Sequence, residues 1–193
     1  MSTDIAGYIE ASAQVLQGMA TDAALHQRIA DVAAAWTKAL RAGGKVLFAG
    51  NGGSAADAQH LAGELVSRFN YDRPGMAGIA LTVDTSVLTA IGNDYGYEHS
   101  FSRQVQALAR PGDVLVGIST SGNSPNVLRA LEEARRMAVV TIGFTGRDGG
   151  AMAGLCDIEV RVPASATPLI QQGQLVVGHL ACALVEEAIH PRR

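Results

Sequence analysis

Short apolar runs that alternate with helical segments constrain the fold of this chain more than any other feature. The runs lie at residues 45–49, 78–81, 113–118, 139–144 and 157–162. Helical spacing is found at residues 55–67, 85–91, 97–109, 125–137 and 167–189. Strands that are apolar throughout are typical of a parallel sheet covered on both faces. The pattern therefore predicts an α/β fold with a central parallel sheet.

Two helical pieces precede the first strand, over residues 4–42. The apolar periodicity breaks near Thr21, Asp22 is placed to cap the second piece, and Gly43-Gly44 ends it. Because these helices come before the sheet, one interpretation is that they pack on a neighbouring subunit rather than on their own sheet.

Length and composition narrow the class of protein. A chain of 193 residues fits one domain, and a hydrophobic content of 48% is enough for a well-filled core. The net charge of -3 and the pI near 5.9 argue against nucleic-acid binding by bulk charge. Cys156 and Cys182 match no C-x-x-C spacing. We find no secretion signal in the N-terminal segment and no apolar stretch of about 20 residues, the length that spans a bilayer. The sequence therefore predicts a soluble, cytoplasmic protein.

The first apolar run leads into a glycine-rich junction, Gly50-Asn51-Gly52-Gly53-Ser54, which is followed by a helix. Glycine lets the backbone approach a ligand closely. A helix N-terminus offers free N–H groups and partial positive charge to an anion. Glycine at such a turn can equally serve helix–strand packing, so this loop alone leaves both interpretations open.

A second junction, residues 119–124, reads Ser-Thr-Ser-Gly-Asn-Ser and leads into Pro125 at a helix start. It contains no Lys or Arg, which argues against a nucleotide P-loop. One cap serine is ordinary, but the hydroxyls here exceed what capping requires. Both junctions follow strands and so belong at the same edge of the sheet, where one ligand could contact both. We predict binding of a sugar phosphate there.

Two pairs of residues offer groups for acid–base or metal chemistry. His60 and Glu64 share a face of the helix behind the first loop. His179 lies in an otherwise apolar helix, with Gln171 about two turns earlier on roughly the same side. Each pair also has an interpretation without a function. His60 and Glu64 can form a surface hydrogen bond, and His179 can be a core histidine whose nitrogens are hydrogen-bonded. No standard zinc spacing is matched, so the residues alone leave metal binding and acid–base catalysis both open.

Several segments together resemble the bacterial phosphoheptose isomerases of the sugar isomerase (SIS) superfamily. They are 49–60 (AGNGGSAADAQH), 89–96 (TAIGNDYG), 101–105 (FSRQV), 119–124 (STSGNS), 167–171 (TPLIQ) and the final histidine helix. The resemblance covers nearly the whole chain. It implies a single flavodoxin-like SIS domain over residues 1–193, a three-layer α/β sandwich with a central parallel sheet, in which helices 4–42 contribute to oligomerisation.

The resemblance also implies an activity. It implies a cytoplasmic homotetramer that converts sedoheptulose 7-phosphate to D-glycero-D-manno-heptose 7-phosphate by enediol acid–base chemistry, for lipopolysaccharide heptose biosynthesis, with no nucleic-acid or membrane partner. Glu64 and His179 are the implied catalytic pair. One Zn²⁺ per subunit is implied among His60, Glu64, Gln171 and His179. The implied substrate-binding residues are Asn51, Gly52, Gly53, Ser54, Glu64, Asn93, Asp94, Ser119, Thr120, Ser121, Ser124 and Gln171.

One stretch departs from the family pattern, which commonly reads Ile-Gln-Glu-x-His where this chain has residues 170–174, Ile-Gln-Gln-Gly-Gln. The difference concerns the surroundings of the site. A non-catalytic branch of the superfamily resembles this chain as well and binds the bacterial replication initiator protein. In that branch the glutamate and the final histidine are missing. The presence of both Glu64 and His179 favours the enzyme over this alternative.

Overall fold

Helices and strands alternate along the computed structural model, which describes residues 4–192. The helices are α1 (Ile5–Thr21), α2 (Ala23–Arg41), α3 (Gly53–Val66), α4 (Thr85–Asp94), α5 (Ser102–Leu108), α6 (Pro125–Arg136) and α7 (Thr167–Ile189). The strands are β1 (Val46–Gly50), β2 (Gly78–Ala80), β3 (Val114–Ile118), β4 (Val140–Thr145) and β5 (Ile158–Arg161). Residues 1–3 and 193, which the single-domain prediction includes, lie outside the described range.

Within residues 4–192, the five strands are all parallel and lie in the order β2-β1-β3-β4-β5. Every residue of β1 and β3 is buried, because helices cover both faces of the sheet. Alternate side chains of β1 enter two separate cores. Val46 and Phe48 pack with α2, α3 and α7, whereas Leu47 packs with α5 and α6. The three-layer α/β sandwich with the flavodoxin-like strand order is confirmed.

The two N-terminal helices have different environments. Asp22 separates them and caps α2, since its side chain accepts a hydrogen bond from the Leu25 N–H. The inner face of α2 is buried in the chain's own core, where the Trp36 ring packs edge-on against Phe48. The interpretation that both helices pack away from their own sheet is therefore wrong for α2. Most of α1 remains exposed, including Ile5 and Ile9.

A second correction concerns residues 97–109, for which the periodicity predicted one helix. The chain instead forms a 3-10 turn at Tyr97–His99 and begins α5 only at Ser102. The bend between them buries Ser100, whose hydroxyl accepts a hydrogen bond from Asn126 Nδ2. It also buries the Phe101 ring in the core. Tertiary packing thus overrides the local helical pattern here.

The last helix, α7, has the bounds that the sequence predicts. By length and composition it is also apolar enough to cross a membrane, so the expectation that no stretch reaches this limit is wrong for α7. Its apolar character has a structural cause, because Val177, Ala181 and Val185 are fully buried in the core. The helix lies beside α3, and Gly178 makes this approach close, since a Cβ there would come within 2.5 Å of the Leu61 side chain.

Candidate active site

The two loops predicted to bind a ligand lie side by side. They follow β1 and β3, which are hydrogen-bonded neighbours with Gly50 opposite Ile118 at their carboxyl ends. A reciprocal amide pair joins the two loop regions. Asn51 Nδ2 donates to Asn126 Oδ1 at 2.8 Å, and Asn126 Nδ2 donates to Asn51 Oδ1 at 2.9 Å. The prediction that one ligand can reach both loops is consistent with this geometry.

The hydroxyl-rich loop, residues 119–124, joins β3 to α6. Ser119 is buried, and its Oγ lies 2.9 Å from Ser124 Oγ. Ser124 holds the N-cap position of α6, but its side chain makes no capping hydrogen bond. Thr120 is half-buried and Ser121 is exposed. Pro125, the first residue of α6, has no N–H, and the Val127 N–H donates to the Ser124 carbonyl at 3.0 Å. What this N-terminus offers an anion is therefore the positive end of the helix dipole together with the loop hydroxyls.

The glycine-rich loop is placed against the last helix. Gly52 has a φ of +56°, a conformation that favours glycine, and α3 begins at the next residue. A Cβ at Gly53 would come within 2.1 Å of the Gln171 Nε2 atom. Glycine at this position thus lets the Gln171 amide lie directly on the loop. Ser54, also predicted to contact substrate, is 4% exposed and faces inward.

Three predicted catalytic or metal-binding side chains meet between α3 and α7. His60 Nε2 lies 2.7 Å from His179 Nε2 and 3.3 Å from Glu64 Oε1. One ligand atom from each of the three residues lies within 4.8 Å of the other two. His60 and Glu64 share a face of α3, and the close approach at Gly178 brings His179 onto that face. Two imidazole nitrogens and a carboxylate oxygen form a donor set that Zn²⁺ accepts.

Gln171 is the fourth residue predicted for this cluster. It lies on α7 about two turns before His179, with its amide against Gly53. It therefore lies on the side of the cluster that faces the glycine-rich loop. The structure thus brings together the two histidines and Glu64 and places Gln171 between them and the loops.

Asn93 and Asp94 are predicted substrate contacts at the C-terminal end of α4. Asn93 Nδ2 donates to Asp94 Oδ1 at 2.8 Å, and both residues are exposed. Asp94 also lines a mainly apolar cavity of about 450 Å³ with Arg103. The segment that follows them reaches the glycine-rich loop, where the Tyr97 hydroxyl donates to Asn51 Oδ1 at 2.9 Å.

Asp57 is a site residue that sequence reasoning did not single out. It lies on α3 one turn before His60, and its Oδ2 atom is buried with no hydrogen-bond partner within residues 4–192. Burial raises the pKa of the Asp57 carboxyl, and the nearby His60 opposes that rise. The sequence did contain a signal for Asp57, because it lies three residues before His60 on the helix that follows the glycine-rich loop.

The nearby thiol of Cys182 does not supply a nucleophile. Burial, together with the negative charge of Glu64, raises the pKa of the Cys182 thiol to about 12. The thiol therefore stays protonated at neutral pH, and the thiolate is the reactive form.

Comparison with known proteins gives a consistent result. The SIS domain family matches residues 7–146. A phosphoheptose isomerase from Burkholderia pseudomallei is 56% identical over 187 residues, which covers 97% of this chain and 95% of that protein. A phosphoheptose isomerase from Aneurinibacillus thermoaerophilus is 53% identical over 189 residues, covering 98% of this chain and 96% of that protein.

Solved structures show the same relationship. The phosphoheptose isomerase of Francisella tularensis superimposes with a TM-score of 0.91 at 40% identity, covering 95% of this chain and 96% of that one. The enzyme from Neisseria gonorrhoeae gives a TM-score of 0.89 at 42% identity, covering 95% of this chain and 97% of that one. The similarity therefore extends over the strands, both loops and the final helix.

Proposed function

This chain belongs to the phosphoheptose isomerases of the SIS domain family, and on that premise we propose that it converts sedoheptulose 7-phosphate to D-glycero-D-manno-heptose 7-phosphate. The observation that carries the proposal is the meeting of Glu64 and His179 near the two loops that follow β1 and β3. A ketose–aldose isomerase needs a base for a carbon-bound proton and a second group for the protons on oxygen.

The phosphate is proposed to bind at the start of α6. Ser119, Thr120, Ser121 and Ser124 all lie in the loop that leads into this helix. The Ser124 hydroxyl supports the assignment, since it pairs with Ser119 Oγ instead of capping the helix. Attraction to the positive end of the helix dipole, together with the loop hydroxyls, favours an anion here without a lysine or arginine. The first loop, with Asn51, Gly52, Gly53 and Ser54, then lies beside the sugar chain.

The proton transfers are assigned to Glu64 and His179. Glu64 takes the proton from C1 of the ketose, which gives an enediol, and returns a proton to C2. His179 moves a proton between O1 and O2, so the carbonyl passes from C2 to C1 and no atom is gained or lost. Positioned groups of this kind typically contribute about 10²–10⁴ each to the rate.

A bound Zn²⁺ would be held by His60 and Glu64 from α3 and by His179 from α7. Gln171, also on α7, would be the fourth ligand. The donor atoms fit this ion in type and spacing. When bound, the ion would polarise the carbonyl or orient the two hydroxyls. Because the ion and the proton transfers use the same Glu64 and His179, metal content and turnover must be measured on the same sample.

We also propose that the protein is a cytoplasmic homotetramer in which neighbouring copies complete the site, and that it serves heptose synthesis for lipopolysaccharide. The His60 side chain is 44% exposed, although an enediol intermediate needs protection from water. The exposed apolar residues of α1, which include Ile5 at 72% and Ile9 at 63%, offer a surface for such a contact.

The test is incubation with sedoheptulose 7-phosphate in D₂O, followed by identification of the product by NMR. We expect the heptose 7-phosphate aldose, with deuterium entering C2, the carbon at which the enediol is protonated. Glu64→Gln is the matched control, since it keeps size and removes the base. Failure of the wild-type protein to form the aldose would contradict the proposal.

A further inference from the structure

A buried ion pair lies beyond the Glu64 and His179 cluster, where α3 ends next to α7. Arg73 Nε donates to Glu186 Oε1 at 3.1 Å, and the two side chains are 2% and 0% exposed. Arg73 lies in the loop after α3, and Glu186 lies on α7. The two residues are 113 positions apart in sequence, so their contact ties the loop to the last helix.

Arg73 binds the C-terminal end of α3. Its Nη2 donates to the Glu64 carbonyl at 2.7 Å, and its Nη1 donates to the Leu65 carbonyl at 2.6 Å. The last carbonyls of a helix have no partner within the helix, and α3 has no basic residue in its last turn. The guanidinium thus satisfies these carbonyls and fixes the backbone of the residue assigned as the base.

Glu186 binds the loop that covers His179. Its Oε1 accepts from the Phe69 N–H at 2.9 Å, and its Oε2 accepts from the Asn70 N–H at 2.7 Å. The Phe69 ring lies 5.4 Å from the His179 ring, centroid to centroid. Glu186 is about two helical turns beyond His179 on the same rigid helix. One carboxylate therefore anchors both α7 and the aromatic ring against His179.

We propose that the Arg73–Glu186 pair is a positioning device that sets Glu64 and His179 relative to each other. Arg73 holds the Glu64 backbone, and Glu186 holds the helix and the ring that orient His179. Neither residue contacts the substrate in this assignment. The inference rests on the proposed function of Glu64 and His179, and it adds residues that hold the pair in register.

Stability alone does not explain such a pair. Replacing both members of a buried ion pair by apolar residues is often neutral or stabilising, whereas removing one member leaves a buried charge without a partner. Apolar side chains can fill the same volume, but they cannot hold the Glu64 carbonyl or the Phe69 and Asn70 N–H groups. A positioning role and a packing role therefore predict different results for the double apolar variant.

The experiment compares Glu186→Gln with a matched control, Asp113→Asn. Asp113 is also buried and paired, with Lys45, and accepts from the Lys45 and Arg110 N–H groups, but it lies where β1 and β3 begin, at the opposite edge of the sheet. For each variant we would measure the melting temperature, kcat, KM and the Zn²⁺ dissociation constant by chelator competition. Changes that reorient the ligands of a site typically cost 10–100-fold in activity or metal affinity.

We expect Glu186→Gln to lower kcat about tenfold or more and to weaken Zn²⁺ binding similarly, with KM changed less than about twofold. Asp113→Asn should lower the melting temperature while leaving kcat and Zn²⁺ binding within about twofold of wild type. The double variant Arg73→Met with Glu186→Leu should recover melting temperature relative to Glu186→Leu but keep the low kcat. It also serves if Glu186→Gln does not fold.

Two results would overturn the positioning role. One is a Glu186→Gln variant whose kcat and Zn²⁺ affinity are no lower than those of Asp113→Asn. The other is a double apolar variant with wild-type turnover and Zn²⁺ affinity. Failure of the proposed function is distinguishable, because it would appear as a wild-type protein without isomerase activity, whereas the Zn²⁺ comparison would still test how the ligands are held.

Discussion

The Nε2 atoms of His60 and His179 lie 2.7 Å apart, although the residues are separated by 119 positions in sequence. Two imidazole nitrogens at this distance share a proton or converge on a cation, because two lone pairs facing each other repel. Glu64 Oε1 lies 3.3 Å from the same His60 atom. The cluster therefore places two imidazole nitrogens next to a carboxylate, an arrangement that suits both proton transfer and metal binding.

Replacing Glu64 by Gln should lower kcat by about 10²-fold or more with little change in KM, because the amide keeps the shape but cannot take a proton. Exchange of solvent deuterium into the substrate carbon should stop. Glu132→Gln, on the exposed side of α6, is the control and should retain turnover. A folded Glu64→Gln protein with near-normal kcat would refute the assigned base but not the sugar-phosphate site.

Removing hydroxyls from the loop after β3 should weaken substrate binding and leave the fold intact. The Ser121 hydroxyl accepts one exposed hydrogen bond, from the Asn123 N–H, and the Ser124 hydroxyl pairs with Ser119 without capping α6, so their alanine variants should stay folded. We expect KM to rise about tenfold for Ser121→Ala, since a hydrogen bond to a charged group contributes about 1.5–3 kcal/mol. Ser86→Ala on α4 is the control. Unchanged KM in Ser119, Ser121 and Ser124 alanine variants alike would disprove the phosphate assignment.

Much of the fold could be predicted because local rules and tertiary packing agree. The break at Asp22 is a true helix cap, and α7 has the predicted bounds because Pro168 at its first turn and a long apolar pattern mark it. The segment around Ser100 differs from the predicted continuous helix, because Ser100 is buried and accepts a hydrogen bond from Asn126 Nδ2. Such a long-range contact leaves no signal in local periodicity.

The site was predictable to the extent that its residues belong to recognisable segments. His60 and Glu64 share a helix face through their spacing, and His179 is a histidine in an otherwise apolar helix. The family resemblance supplied the catalytic roles of Glu64 and His179. The meeting of these residues depends on the approach of Gly178 to Leu61, which no spacing encodes. Arg73 lay outside the quoted motifs, so its hydrogen bond to the Glu64 carbonyl emerged only from the structure.

Removal of metal should distinguish the two uses of the cluster. We expect protein purified without chelator to contain about one Zn²⁺ per subunit, as the donor set fits a single ion. His60→Gln should lose most of this metal, whereas His190→Gln, outside the cluster, should retain it. Elemental analysis measures the metal directly. Metal-free protein with full activity would show that these residues act in proton transfer and that turnover does not need the metal.

Disrupting the exposed face of α1 should dissociate the proposed tetramer. Ile9 is 63% exposed, so Ile9→Glu should leave the subunit folded but place a charge in an apolar contact. Sedimentation velocity should then show smaller species and reduced activity. Gln14→Glu adds a charge to the same helix at an exposed polar position and is the control. A stable, fully active wild-type monomer would contradict the proposed assembly.

Acid should unfold the protein partly through Glu186. Burial raises the pKa of this carboxyl, but hydrogen bonds from the Phe69 and Asn70 N–H groups and from Arg73 outweigh burial, so its pKa in the folded protein lies below the ordinary 4.5. The unfolded chain therefore binds the proton more readily, and stability rises with pH across this window. Glu186 stabilises the fold fully above about pH 4.5, and this contribution is lost as pH falls through its lowered pKa.

Denaturant unfolding of the wild type and of Glu186→Gln, between about pH 3 and pH 7, measures this contribution to the free energy of unfolding. We expect the variant to be less stable at pH 7 and the difference to shrink towards pH 3, whereas a difference independent of pH would show that the ionised carboxylate does not stabilise the fold.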